Sequence, residues 1–420
     1  MTWNRRQILR TAAAAGAAFT GASCGAPAES KSDPIQNLQP MTQGVTPISD
    51  DERRGRIEKA RRLMAENKID ALYLEAGSSL FYYTGITWSR TERMFAMVLP
   101  REGEPVYVAP GFEEERAREQ IRFGDDIRRW EEDESPYKVV AGIFKDHGIR
   151  TGRIGFEETV RFFLFDGVRK EAPALEYVDA TAVTAGCRMI KSPAEIALMQ
   201  KANDVTIEAF KATVAGLHEG MTPAEFRANC AAAHQALGFS GGVMVNFGKY
   251  SAFPHGSTLL QNLRNGDIII MDGGCSVEGY RSDITRTLVF GDPSDRQREI
   301  WNIERKAQDA AFAAAQVGAT CESVDAAARK VITDAGFGPD YKVPGLPHRT
   351  GHGIGLDGHE WTNFVRGNTT KIEPGMCFSD EPMLTIYGEF GVRLEDCLYV
   401  TEDGPRMFTR QSPFIEQPFG

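Results

Sequence analysis

The sequence predicts two folded domains: an α/β domain over residues 49–187, then an α+β domain with an internal pseudo-twofold repeat over residues 188–420. Three observations carry this. Helix-type and strand-type apolar patterns alternate through the first half. Two strong helix-start signals follow Cys187 and open a region of longer amphipathic helices. Finally, two segments about 100 residues apart, beginning at Gly220 and Gly318, share one order of glycine, Ala-rich helix and Gly-Phe. A chain of 420 residues, 42% hydrophobic and 25% charged, is long enough for two cores.

The N-terminus reads as an address. Arg5-Arg6 is followed by Ile8, Leu9 and Arg10, then by a mild Ala/Gly-rich run to Ala22. This order is that of an export signal, and the arginine pair resembles a Tat signal, so residues 1–28 are expected to be removed. Ala26-Pro27-Ala28 fits a signal peptidase cut, whereas lipidation of Cys24 is the minority route. The expected location is therefore periplasmic or exported, with a lipid-anchored form as the alternative. Residues 29–48 read as a flexible linker. The other six cysteines are widely spread with no C-x-x-C pair and read as buried free thiols. A net charge of −10 argues against a nucleic-acid partner, and no apolar run of about 20 residues offers a membrane span.

In the first domain Ser49 caps a helix over residues 50–67, with acids in its first turn and Ile57, Ala60, Leu63 and Met64 on one face. Strands follow at 69–74, 94–99 and 105–108, the last two joined through Glu102-Gly103. Helices are expected at 113–120 and 136–147, and a strand at 153–156. No catalytic constellation falls in this half.

The second domain opens on the capping box Ser192-Pro193-Ala194-Glu195, and Thr222-Pro223-Ala224-Glu225 starts the next helix. In both repeat copies a glycine leads through a strand to a carboxylate six residues on: Gly266 to Asp272, and Gly375 to Glu381. Each copy then turns and returns with a second carboxylate. A Gly-rich hairpin brings back Asp283 in Ser282-Asp283-Ile284-Thr285-Arg286-Thr287. A turn at Gly388–Gly391 brings back Glu395 in Val392-Arg393-Leu394-Glu395-Asp396. Four converging carboxylates repel unless cations neutralise them. Three of the seven histidines, His348, His352 and His359, fall within 13 residues between these pairs, and glycines flank His352. Mixed carboxylate and imidazole donors suit manganese, cobalt, zinc or iron. Two ions sharing carboxylates suit a hydrolase that activates water.

Residues 188–405 resemble the pita-bread metallopeptidases: prolidase, aminopeptidase P and methionine aminopeptidase, with creatinase as a metal-free relative. The resemblance rests on the Asp272 to Asp283 segment, Gly351-His352-Gly353-Ile354-Gly355-Leu356 with His359-Glu360, Glu381-Pro382, and Val392 to Asp396. Residues 50–186 resemble the N-terminal domain of the creatinase/prolidase branch. The resemblance implies hydrolysis of the peptide bond N-terminal to proline by an Xaa-Pro dipeptidase or aminopeptidase. It implies two divalent metal ions, with manganese placed ahead of cobalt, zinc and iron, a peptide substrate, and a homodimer as an assembly option. Asp272, Asp283, His352, Glu381 and Glu395 would be the metal ligands, with Asp283 and Glu395 bridging. Glu381 would also shuttle a proton to the leaving amine. His255, His348 and His359 would be catalytic or substrate-contacting, Arg393 would orient Glu395 or the substrate, and Arg366 would be a candidate for the substrate carboxylate.

Asp380 departs from the aliphatic residue usual before the family's Glu-Pro, and Met383 replaces a glycine. Strand alternation points Asp380 away from Glu381, so the departure bears on pocket shape. Two rival readings remain: an exported metal- or peptide-binding protein with an inactive site, and an amide or ester hydrolase of other specificity. A metal-free creatinase-like site is disfavoured because all five ligand positions carry ligand residues. Gly353-x-Gly355-x-x-Gly358 formally matches a dinucleotide fingerprint, but no strand precedes it.

Overall fold

The computed structural model describes residues 34–420. The expected signal segment, Cys24 and the start of the expected linker lie outside the described residues. The rest of that linker is no tether: Ile35, Leu38, Met41 and Val45 pack against the core, and the Met41 amide donates to Leu237 O at 2.9 Å. Their spacing of three to four residues puts one apolar side against the protein, a pattern the prolines in this stretch conceal. Among the described residues no helix is long and apolar enough to cross a membrane.

The first domain contains α1 (Asp50–Glu66), β1 (Ala71–Glu75), α2 (Ser78–Thr84), β2 (Ala96–Pro100), β3 (Val106–Pro110), α3 (Glu114–Gln120), β4 (Asp126–Trp130), α4 (Pro136–Asp146), β5 (Arg153–Phe156), α5 (Phe162–Glu171), β6 (Glu176–Asp179) and α6 (Thr181–Arg188). Ser49 caps α1 as expected, accepting from the Glu52 amide. The strands form one mixed sheet in the order β4-β3-β2-β1-β5-β6. Strands β1, β2 and β3 are buried along their whole length, because helices cover both faces.

The second domain begins with α7 (Pro193–Ala215) and α8 (Pro223–Ala236), then β7 (Ser240–Phe247), β8 (Ile268–Val277), β9 (Tyr280–Arg281) and β10 (Ile284–Val289). It continues with α9 (Asp295–Ala314), α10 (Cys321–Asp334), β11 (Gly351–Gly353), β12 (Glu360–Phe364), β13 (Cys377–Asp380), β14 (Met383–Ile386), β15 (Phe390–Arg393), β16 (Asp396–Thr401) and β17 (Gly404–Met407). The Ser192 capping box is complete, and Thr222 accepts from the Glu225 amide.

The repeat is visible in the pairing. Helices α8 and α10 each run 14 residues, starting three after their glycines. Strand β8 lies between β7 and β10, and β13 lies between β11 and β16. Gly266 and Gly375, which begin the two carboxylate strands, have φ of 87° and 89°, a conformation that costs glycine nothing. The halves join where Thr285 and Glu395 exchange backbone hydrogen bonds of 3.3 and 3.2 Å.

Two buried polar clusters tie the domains together. Arg56 of α1 bonds Tyr280 Oη at 3.1 Å and pairs with Glu195 at 3.4 Å, while Tyr280 donates to Glu195 at 2.8 Å. Arg188, Lys191 and Glu360 form the second. The six described cysteines are all buried free thiols, as their spacing suggested.

Candidate metal centre

The apolar run Ile268–Met271 is buried, and β8 then carries Asp272 out of the core. Gly273 and Gly274 follow because a Cβ there would strike the backbone of Gly242 and Ser282. Glu278 and Gly279, both at positive φ, turn the chain into β9. Ser282 then anchors the return, accepting from the Cys275 amide at 3.0 Å and bonding Thr206 Oγ1 at 2.8 Å. Asp283 occupies the break between β9 and β10, close to Asp272, as the hairpin argument required.

The second carboxylate pair uses a different device. The expected single return from Val392 to Val400 is broken at Leu394 and Glu395. Strand β15 pairs with β14, and the chain then switches partner so that β16 pairs with β13. Glu381 and Glu395 both lie at this switch, beyond the Asp380↔Asp396 pair. Phe390 and Gly391, expected in the turn, belong to β15 instead.

His352 is in the middle of β11, 1% exposed, between glycines whose Cβ atoms would meet the Ser379 and Glu360 backbone. Its Nδ1 lies 3.0 Å from Gly353 O. A carbonyl only accepts, so Nδ1 carries a proton, and Nε2 faces Glu381 at 3.1 Å and Asp283 at 3.8 Å. Donor atoms of three overlapping groups lie within 4.8 Å of one another: Asp272, Asp283 and Glu395; His352, Glu381 and Glu395; Asp283, His352 and His359. The structure thus brings together all five expected ligands and adds His359 to their edge.

Electrostatics set the character of this cluster. Burial, then Asp272, pushes Asp283 up to about 8. Burial, then Asp283 and Glu381, raises Glu395 well above the carboxylate range. Its Oε1 is buried without a hydrogen-bond partner, while Oε2 accepts from Thr285 Oγ1 at 2.6 Å. Burial opposes ionisation of Glu381 too, but His352 and Arg393 outweigh it and hold that carboxyl low. An orphaned carboxylate oxygen, two carboxyls driven towards protonation and an imidazole with Nδ1 committed are what two divalent cations would satisfy.

Arg393 pairs with Asp272 and also donates to Thr285 Oγ1 at 3.1 Å and Pro254 O at 3.2 Å. It therefore links the two carboxylate pairs from within the protein. His348 has Nδ1 at 2.7 Å from Arg349 O and a buried Nε2 with no partner; burial lowers its pKa. The ring of His359 lies 4.0 Å from that of His352, with Nδ1 at 3.2 Å from the Arg349 guanidinium. Desolvation first, then His352, lowers His359 to about 4. His255 is exposed on the loop after Phe253, and its charge would lower both His348 and His359. Arg366 is not gathered into the cluster: it is more than half exposed and pairs with Asp340 at 2.7 Å.

Several residues quoted only as motif letters prove to hold the site. Thr285 supports Glu395, and Thr287 Oγ1 donates to Arg393 O at 2.6 Å. Arg286, fully buried, pairs with Asp396 at 2.7 Å and donates to Glu395 O at 2.8 Å. Ser379 Oγ donates to Glu381 and accepts from the His352 amide at 3.0 Å. Asp380 is fully buried, as the alternation argument placed it, but neither carboxyl oxygen has a partner, and the same holds for Glu304 of α9. Burial, then Asp396 and Glu304, raises Asp380 far above the carboxylate range.

Residues 197–402 match the model of metallopeptidase family M24, and residues 56–190 match the creatinase/prolidase N-terminal domain. An Xaa-Pro dipeptidase of Lactobacillus delbrueckii subsp. lactis is 32% identical over 365 residues, covering 85% of this chain and 97% of that one. The chain belongs to metallopeptidase family M24. Solved structures of similar proteins agree with the fold. Dipeptidase PepE from Mycobacterium ulcerans superposes with a TM-score of 0.80 at 32% identity, covering 87% of this chain and 97% of that one. A prolidase from Thermococcus sibiricus does so with 0.79 at 29% identity, covering 85% and 97%. This M24 chain is thus a peptidase with a creatinase-type N-terminal domain and a pita-bread catalytic domain, and its carboxylate–histidine cluster is the candidate metal centre.

Proposed function

We propose that this M24 peptidase hydrolyses the peptide bond N-terminal to proline, as an Xaa-Pro dipeptidase or aminopeptidase. The observation that carries the reading is the convergence of Asp272, Asp283, His352, Glu381 and Glu395 in one cluster, in a chain that spans 97% of an Xaa-Pro dipeptidase. These five residues would hold two divalent cations, manganese foremost. When bound, the cations polarise the scissile carbonyl and make water a nucleophile near neutral pH.

The chain's own groups do the rest. Glu381, held ionised by His352 and Arg393, accepts a proton from the attacking water and delivers it to the leaving nitrogen. The arginine at His359 Nδ1 can only donate, so the neutral ring carries its proton on Nε2 and offers it to a substrate oxygen. His348 has the opposite tautomer, with its Nε2 lone pair open to a substrate N–H. Arg393 pairs with Asp272 and orients it.

The test incubates metal-loaded protein with Xaa-Pro dipeptides and with longer Xaa-Pro-Yaa peptides. Cleavage of dipeptides alone assigns a dipeptidase, and cleavage of the longer peptides an aminopeptidase. No cleavage of either, with metal binding still lost in Asp283→Ala, refutes the activity and leaves a metal-binding protein. Metal analysis of purified protein decides whether manganese is the ion. Export through Arg5-Arg6 is part of the same proposal; cell fractionation before and after replacing both by Gln tests it. Light scattering tests the homodimer.

A further inference from the structure

The loop Ile354–His359 joins His352 to His359, and the sequence says little about what fixes it. In the structure Glu360 holds it from behind. Its Oε1 accepts from the Leu356 amide at 2.8 Å and the Asp357 amide at 3.2 Å. Gly355 is required there because a Cβ would come within 2.7 Å of the Glu360 carboxylate. Glu360 is gripped in turn by Arg188, the last residue of α6, and by Lys191 at 3.0 Å. Arg188 is 8% exposed; it also pairs with Asp357 at 2.7 Å and donates to Ser79 Oγ at 3.2 Å. Ser78 donates to the other Asp357 oxygen at 2.6 Å. The first domain thus reaches the catalytic domain at this loop, and the loop ends on His359.

We propose that Arg188 is a positioning residue for hydrolysis: through Glu360 it holds the 354–359 loop and fixes the ring of His359 over that of His352. The inference rests on the proposed peptidase reading for its kinetic consequence, but not for its structural one. It gives the first domain, which contributes no residue to the metal cluster, a task in the reaction. The same clamp borders a cavity of about 560 Å³ lined by Glu158, Thr159 and Asp179 of the first domain and by Arg349, His359 and Trp361 of the second. A substrate held there would lie between the domains, with His359 at its edge.

The experiment uses the full chain carrying Arg188→Met or Arg188→Lys, each with and without His359→Ala. Misplacement of a catalytic group by about 1 Å costs up to ~100-fold. With an Xaa-Pro substrate that the wild type cleaves, Arg188→Met should lower kcat by about tenfold or more. KM and bound metal should stay nearly unchanged, and Arg188→Lys should recover part of the rate. In the His359→Ala background Arg188→Met should add no further loss. An equal loss in both backgrounds overturns the proposal, because Arg188 would then act independently of His359. So does a loss that only follows the folded or metal-loaded fraction. Hydrogen–deuterium exchange of metal-free protein gives a readout that needs no substrate. Amides of residues 354–359 should exchange faster in both Arg188 variants than in wild type, and unchanged exchange overturns the clamp. If the wild type cleaves no Xaa-Pro peptide while that exchange rises, the activity fails and the clamp stands.

Discussion

Replacing Glu360 by Gln keeps the shape of the side chain and removes its charge. Burial opposes ionisation of this carboxyl, but Lys191 and Arg188 outweigh it and lower Glu360 from 4.5 to about 2. At about 1.4 kcal/mol per pH unit, that difference is worth ~3 kcal/mol of folding stability. The side chain is only 5% exposed, so solvent screening takes little from this figure. A second route gives a similar size: breaking a buried ion pair by removing one partner costs ~3–5 kcal/mol. The sign follows from linkage. A carboxyl with a lowered native pKa stabilises the fold above its unfolded value, and that contribution disappears as pH falls through the native value. Glu360→Gln should therefore be destabilised by about 3 kcal/mol at neutral pH. The gap to wild type should begin to narrow below about pH 4.5 and shrink towards pH 2. Urea unfolding of both proteins across this range measures it. A gap under about 1 kcal/mol at pH 7, or one that does not narrow in acid, would refute the reasoning.

Asp283→Asn should abolish tight uptake of divalent metal in titration calorimetry and remove the metal-induced rise in Tm. At a metal concentration 100 times Kd that rise corresponds to ~2.7 kcal/mol in the wild type. In metal-free protein the raised Asp283 stabilises the fold fully below about pH 4, and this stability is lost as pH rises through about 8. Scanning calorimetry with and without chelator should show a Tm difference that widens from acid to mildly alkaline pH; parallel curves would count against it. Arg366→Met should leave kcat/KM for an Xaa-Pro peptide within about twofold, because its ion pair is on the surface. A large rise in KM would restore Arg366 as a substrate ligand. His359→Ala should lower kcat by about 100-fold or more if its Nε2–H meets the carbonyl, with bound metal unchanged by elemental analysis.

What could be read in advance follows the range of the interactions. The caps at Ser49, Ser192 and Thr222 are contacts across three residues, and the residue types announce them. The four carboxylates could be found because an acid at the end of an apolar strand is costly unless something neutralises it. Their pairing into one cluster also followed from the repeat. The break at Leu394-Glu395 could not, because nothing local tells a strand to exchange one partner for another. Arg188 and Glu360, 172 residues apart, meet only in the finished fold. Residues 34–47 read as a linker because polar residues and prolines hide four apolar side chains at helical spacing. Arg366 is a candidate by family resemblance alone, and Asp340 supplies its partner.

The seam between the two halves has a consequence for the order of events in making the protein. Thr285 and Glu395, which close it, are 110 residues apart. During synthesis Asp272 and Asp283 emerge long before His352, Glu381 and Glu395, and N-terminal parts of a chain fold first. The early carboxylates can bind an ion only loosely, through the two groups then present. The full donor set exists only once Glu395 has been made, so the ion finally kept is chosen by the folded domain, in whatever compartment folding finishes.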